Sequence, residues 1–259
     1  MIVDLHNHTP LCNHAEGEIE EYINAAIKQG TQIFGFSDHA PMDYDPQYRM
    51  QFKDMQKYEN AVKLAKEQYK DKIKILLAYE VDYLPGHMDK RVLNADVDYL
   101  IGSVHFLEAW GFDNPEFLAK WKEQDVDAVW QKYFDTIEAM AKSNLFDIVG
   151  HLDLIKVFNF MPNKDIVNMA KNALYAIKES DMVLEINVAG YRKPVKEAYP
   201  SLELLKEAYK LDIPITFASD AHKPEQVGLY NEELMQMITN IGYTECAYFI
   251  QREKKFLKL

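Results

Sequence analysis

The segment DLHNHTPLCNH (residues 4–14) carries three of the chain's eight histidines. Neutral imidazole is a common ligand for transition metals, and side chains two apart on an extended strand point to the same face, so His6 and His8 can share an ion. The spacing recurs in SDAH, where Asp220 and His222 stand two residues apart. Between these pairs, metal-competent side chains follow short apolar runs: Asp38 and His39 after IFGFS, Glu80 after KILLAY, His105 after DYLIGS, His151 after FDIVG. Mixed imidazole and carboxylate donors suit Zn, Fe or Mn, whereas Ca or Mg would take mostly oxygen. About nine or ten donors exceed one tetrahedral shell, so two or three ions are expected. A lone histidine at a strand end is usually a surface or core residue, but this many at successive strand exits is an improbable accident. His87, in LPGHMDKR, follows no strand and is expected in solvent. Cys12 is read as a small loop residue rather than a ligand.

These donors need a frame that gathers strand ends. Apolar and β-branched runs predict strands at about residues 2–5, 32–37, 73–81, 98–104, 146–150, 182–188 and 214–218. Amphipathic stretches between them, such as EIEEYINAAIKQG (18–30), MQKYENAVKLAKEQYKD (55–71), VDAVWQKYFDTIEAMAKS (126–143) and DIVNMAKNALYAIKES (165–180), predict helices, with Gly30 as a stop. A helical stretch over 225–241 is followed by a candidate strand, CAYFIQREK (246–254), whose mixed polarity marks an edge or closing element. This alternation is an α/β pattern, compatible with a barrel or an open doubly wound sheet. In an open sheet ligands gather at one switch point, whereas a barrel brings all strand ends to one mouth, so donors on six strands favour a distorted (β/α)7 barrel with its site at the C-terminal strand ends. No Gly/Ser/Pro-rich linker divides the chain, and residues 1–259 are expected to form one domain.

Composition narrows the partners. Charged residues make up 27% of the chain, and no apolar run is long enough to span a bilayer. MIVDLHNH has neither a basic nor an apolar leader region, so the cytoplasm is the expected compartment. Two cysteines give no disulfide framework. A net charge of −12 argues against a nucleic-acid backbone as partner.

The motifs carry a resemblance. DLHNHT, SDHA, Glu80, GSVHF, GHLD and SDAH resemble the motifs of the polymerase-and-histidinol-phosphatase (PHP) superfamily of metal-dependent phosphoesterases, and the match spans residues 4 to 222. DYLIGSVHFL, GHLDLIK and NVAGYRKP are most similar to its histidinol-phosphatase branch. The resemblance implies a distorted (β/α)7 barrel holding three divalent ions. It places His6, His8, Glu80 and Asp220 on one ion, Glu80, His105 and His151 on a second, and His14, His39 and His222 on a third. Asp38 is not among these ligands and is a candidate to orient one. It implies hydrolysis of L-histidinol phosphate in histidine biosynthesis, with another small phosphomonoester, such as a nucleotide, as the alternative.

Ions held this way make hydroxide available near neutral pH and neutralise the phosphoryl oxygens, with Glu80, Asp220 and His222 as the catalytic candidates. Arg192, in GYRKP, is the first candidate to clamp the phosphate by its bidentate fork, and Lys156, after GHLDL, the second. Lys193 is read as a solvated charge. Asp43, Tyr44, Asp45 and Tyr48, in PMDYDPQYRM (41–50), either face the far end of the substrate or lie in solvent. A metal-dependent amidohydrolase would instead carry a bridging lysine where this chain has Glu80.

Overall fold

The apolar runs fold as short strands buried on both faces, as a parallel sheet wrapped by helices demands. In the computed structural model, which describes residues 1–259, they are β1 (Val3–Asp4), β2 (Ile33–His39), β3 (Lys74–Asp82) and β4 (Tyr99–Ser103). A small hairpin, β5 (Phe106–Leu107) and β6 (Trp110–Gly111), precedes β7 (Ile148–Val149), β8 (Val183–Asn187) and β9 (Ile215–Ala218). Setting the hairpin aside, seven parallel strands pair in the order β1-β2-β3-β4-β7-β8-β9. The ring closes between its ends: Leu5 N–H donates to Phe217 O (2.9 Å), Asp220 N–H to His6 O (2.8 Å) and His8 N–H to Ala221 O (3.0 Å). All seven strands coincide with the runs named above.

Inside the ring the Tyr99 hydroxyl donates to Leu5 O at 2.5 Å. A Cβ on Gly35 would stand 1.8 Å from that hydroxyl, so only glycine fits there. Helices α1 (Ile19–Lys28), α2 (Met55–Gln68), α3 (Lys90–Leu93), α4 (Val126–Lys142), α5 (Ile166–Glu179), α6 (Leu202–Lys210) and α7 (Asn231–Ile241) complete the alternation. Gly30 terminates the α1 segment at φ 76°, the left-handed conformation that glycine adopts without strain. One continuous cluster of 70 buried apolar residues runs from Met1 to Phe249. No helix is long and apolar enough to cross a membrane.

Two regions depart from expectation. The candidate strand 246–254 is a hairpin, β10 (Glu245–Ile250) and β11 (Glu253–Lys258), turning at Gln251 and Arg252 with φ of 50° and 65°. It does not close the barrel. It covers the opposite end, where Arg252 N–H donates to Asp98 O (2.8 Å) just before β4 and Arg252 Nη2 donates to Leu145 O (2.8 Å) before β7. The second region lies between β4 and α4, where β5, β6 and a 3-10 stretch (Pro115–Glu123) form an insert at the mouth of the barrel. The insert is tied down by Trp121 Nε1, which donates to Phe112 O (2.9 Å), and by the Tyr44 hydroxyl, which donates to Ala109 O (2.9 Å).

Candidate metal centre

Strand register brings the donors together. β2 and β3 pair so that His39 stands opposite Glu80, and His39 Nδ1 lies 2.7 Å from Glu80 Oε2. His6 Nε2 approaches the same oxygen at 3.3 Å. The other oxygen, Oε1, lies 3.0 Å from His151 Nε2 and 3.6 Å from His105 Nε2. His8 Nε2 is 3.2 Å from Asp220 Oδ1, and His14 Nε2 is 3.0 Å from His222 Nε2. Four groups of possible ligand atoms result: His6, His8 and Glu80; Glu80, His105 and His151; His14, His39 and His222; and His8, Cys12 and His222. Asp220 borders the first through His8 and the third through His222, 3.5 Å away. All nine residues expected as ligands therefore meet at one mouth.

Around them stands a layer of carboxylates and carbonyls that fixes the imidazoles. His6 Nδ1 bonds Glu185 Oε2 (2.7 Å) and His105 Nδ1 bonds Asp82 Oδ1 (2.7 Å), leaving each Nε2 free for an ion. His14 Nδ1 bonds Cys12 O (2.9 Å) and His222 Nδ1 bonds Asp220 O (3.2 Å), with the same result. Asp38 lies 3.5 Å from His8 Nδ1 and accepts from the Thr9 hydroxyl, the orienting place foreseen for it. Glu185 and Asp82 were not anticipated. Glu185 also accepts from His151 N–H (3.0 Å) and from Asn187 Nδ2 (2.9 Å), and Asn187 Nδ2 reaches Asp220 Oδ2 (3.1 Å). Both acids were visible as carboxylates in otherwise apolar strands, Asp82 two residues beyond Glu80. Backbone strain collects here too: His151 has φ 21° and Asp220 φ 49°.

The donor set fits divalent cations on two counts. His6 Nε2 is buried and lacks any hydrogen-bond partner. The Nε2 atoms of His14 and His222 face each other while both Nδ1 atoms are spent on carbonyl oxygens, so two lone pairs meet and a cation between them relieves the repulsion. Protonation divides the imidazoles: against burial, Glu185 and Glu80 hold His6 well above its ordinary value, Asp220 and Asp38 raise His8, and Asp82 with Glu80 takes His105 up to about 10, so an ion at those three would displace a proton. Burial, with neighbouring imidazoles, brings His39 down to about 4 and His222 well below its ordinary value, and burial also lowers His14. Against burial, the surrounding histidines hold the Glu80 and Asp220 carboxyls well below the usual range. Cys12 is buried near His8 and His222, and burial keeps it a neutral thiol.

A cavity of about 760 Å³ opens over these groups, lined by the insert, the 41–50 loop and Arg192. Arg192 Nη2 donates to Ser219 O (2.9 Å) and Asp220 O (2.8 Å), whereas Nη1 is buried without a partner. Lys193 also lines the cavity. Lys156 departs from expectation: it lies outside this cavity, fully buried, with Nζ held by Asp153 Oδ2 (3.0 Å), Glu197 Oε2 (2.7 Å) and Ala198 O (2.8 Å). All three ammonium hydrogens are occupied, so Lys156 serves packing, not phosphate. Of the 41–50 loop, Tyr44, Asp45 and Tyr48 line the cavity, while Asp43 pairs with exposed His87 (2.9 Å). Arg49, not singled out from sequence, anchors that loop by donating from Nη1 to Asp82 Oδ2 (2.7 Å) and from Nε to Asp45 O (2.8 Å).

The chain is similar to known proteins along nearly its whole length. The family model described as the PHP domain matches residues 4–189, and one described as PHP-associated matches residues 204–240. A probable histidinol-phosphatase of Deinococcus radiodurans is 38% identical over 93% of this chain and 94% of its own length. The histidinol-phosphatase of Bacillus subtilis is 28% identical over 90% of this chain and 98% of its own. The crystal structure of histidinol phosphate phosphatase from Lactococcus lactis, complexed with Zn, L-histidinol and phosphate, superposes with a TM-score of 0.81 over 98% of each chain at 20% identity, which establishes the shared fold. The PHP match covers the strands that carry His6, His8, His39, Glu80, His105 and His151, and by it the chain belongs to the PHP family.

Proposed function

We propose that the chain is a metal-dependent phosphomonoesterase that hydrolyses L-histidinol phosphate to L-histidinol and inorganic phosphate, a step of histidine biosynthesis. The substrate follows from full-length relatives named for that activity. The chemistry is carried by one observation: the two Glu80 oxygens face separate sets of imidazoles, as a carboxylate bridging two ions must. On this reading His6, His8, Glu80 and Asp220 hold one ion, Glu80, His105 and His151 a second, and His14, His39 and His222 a third, each ion being Zn, Fe or Mn. Such ions supply a nucleophile at neutral pH and neutralise the phosphoryl oxygens.

The protein does the rest. Arg192, held by two carbonyls with Nη1 unpartnered, binds and orients the phosphoryl group. Glu185 and Asp82 keep the His6 and His105 rings turned so that Nε2 faces inward. The insert and the 41–50 loop wall the site from bulk water. Residues 1–259 act as one PHP-type unit on a small phosphomonoester. The deciding experiment is phosphate release by metal-loaded protein from histidinol phosphate, glycerol phosphate and a nucleoside monophosphate. Histidinol phosphate should lead in kcat/KM by at least about 100-fold, the ~3 kcal/mol of one desolvated amine contact plus ring packing. A flat profile or a nucleotide preference overturns the substrate.

A further inference from the structure

We propose that Asp113, the one cavity-lining carboxylate with no partner in the protein, receives the ammonium group of the substrate and thereby selects amino-alcohol phosphates over esters that lack an amine. The inference rests on the phosphatase reading above.

Five carboxylates line the cavity: Asp45, Glu80, Asp82, Asp113 and Asp220. Four have company. Glu80 and Asp220 sit among the imidazoles, Asp82 is shared by Arg49 and His105, each at 2.7 Å, and Asp45 stands 3.9 Å from Arg49. No ion pair or side-chain hydrogen bond reaches Asp113. Asp113 is half-buried, and a carboxylate partly drawn out of water without a cation gains when a ligand brings one. Asp113 lines the same cavity as His105 and His151 of the second group.

That position matches the substrate. In an amino-alcohol phosphate the amine is borne by the carbon next to the ester methylene, so its receiver must stand close to the phosphoryl site. Asp113 lines one cavity with Glu80, His105, His151 and Arg192; Asp43, paired with His87, lies outside it. The carboxylate is also rigidly placed. Its neighbour Phe112 is fully buried, packs edge-on against Tyr133 of α4 and accepts the Trp121 indole hydrogen bond. Tyr44 and Phe106, stacked edge to face at 5.3 Å in the same wall, offer aromatic surface to the imidazole ring.

The test uses metal-loaded enzyme and three esters: histidinol phosphate, its deamino counterpart (the phosphate of 3-(imidazol-4-yl)propan-1-ol) and p-nitrophenyl phosphate. For Asp113→Asn, kcat/KM should fall roughly 10- to 150-fold on histidinol phosphate, the range of a charged hydrogen bond, and change less than about threefold on the other two, with metal content unchanged. Equal loss on histidinol phosphate and the deamino ester would place Asp113 in the chemistry or the scaffold and overturn the proposal; so would no loss at all. The parent enzyme gives an independent reading that needs no variant: it should prefer histidinol phosphate over the deamino ester by at least about tenfold, and parity overturns the proposal. A parent that cleaves p-nitrophenyl phosphate but not histidinol phosphate refutes the substrate assignment instead, before Asp113 is touched.

Discussion

Glu80 presents its two oxygens to different imidazoles, with His39 and His6 on one side and His151 and His105 on the other, and it is almost fully buried. Replacing it with glutamine keeps the volume but puts an amide nitrogen, which cannot ligate, at one of those two places. Glu80→Gln should therefore lose more than one metal equivalent, or nearly all of kcat, as read by elemental analysis and steady-state kinetics. A fully metallated, fully active variant removes the bridge. Arg192 makes the contrasting case, because it donates only to the backbone carbonyls of Ser219 and Asp220, touches no ligating atom, and keeps Nη1 unpartnered. Arg192→Ala should lower kcat/KM about 10- to 150-fold with metal content intact, the loss expected of a charged hydrogen bond worth roughly 1.5–3 kcal/mol. Unchanged kinetics would make it a surface-type contact. At this scale the sequence announces the imidazoles well, since their spacing is visible in DLHNHT and SDAH, and the acids behind them poorly. Glu185 sits mid-strand in VLEIN with no histidine nearby in sequence, and only the closed ring brings it to His6, 179 positions away. Lys156 errs the other way: a basic residue one turn past His151 reads as a clamp, yet Asp153, two residues after that histidine, takes the charge inward.

The strands were legible as elements because a parallel barrel strand is apolar on both faces and leaves a continuous run; the helices were legible by their period. The hairpin β10–β11 was not, since its turn uses Gln251 and Arg252 at positive φ where Asn-Gly or Asp-Gly would have signalled it. The insert after β4 was missed for a related reason: its strands are two residues long, and Pro115–Glu123 winds as a 3-10 stretch without a lasting period. A testable element is the crossing of β4 and β7. A Cβ on Gly150 would stand 2.4 Å from Ser103 Oγ and 3.0 Å from Ile101 Cγ2, immediately before His151 at φ 21°. Gly150→Ala must turn the unpartnered Ser103 hydroxyl and crowd Ile101, which presses on β7 and on His151 beside it. Overpacking of this kind costs about 1–3 kcal/mol, which in a chain of this size lowers Tm by roughly 2–12 °C. Activity should fall further than stability does, because the displaced residue faces Glu80. A variant with parental Tm and parental kcat/KM would show that the crossing has slack.

For the molecule as a whole, the decisive inference was topological: donors at the exits of six strands make sense only if those exits converge, and the closure of β1 onto β9 through Leu5, His6 and His8 makes them converge. That closure also separates two kinds of stability. The apolar core runs as one main cluster of 70 residues, whereas the mouth gathers buried carboxylates and imidazoles, among which His6 Nε2 lacks a partner. Metal ions that bind the folded chain and not the unfolded one add RT ln(1 + [L]/Kd), about 4 kcal/mol for one ion at a thousand times its Kd. Exhaustive chelation should thus lower Tm by roughly 8–16 °C for each ion of that affinity and abolish phosphate release, while the far-ultraviolet circular dichroism at 25 °C stays that of the folded barrel. Adding back Zn, Mn or, without oxygen, Fe should restore both Tm and turnover together. Verified metal-free protein that keeps its Tm and releases phosphate at the parental rate would mean that the cluster is a hydrogen-bonded network rather than a metal centre. Loss of the circular dichroism on chelation would instead mean that the ions hold the barrel itself, against the division drawn between core and mouth.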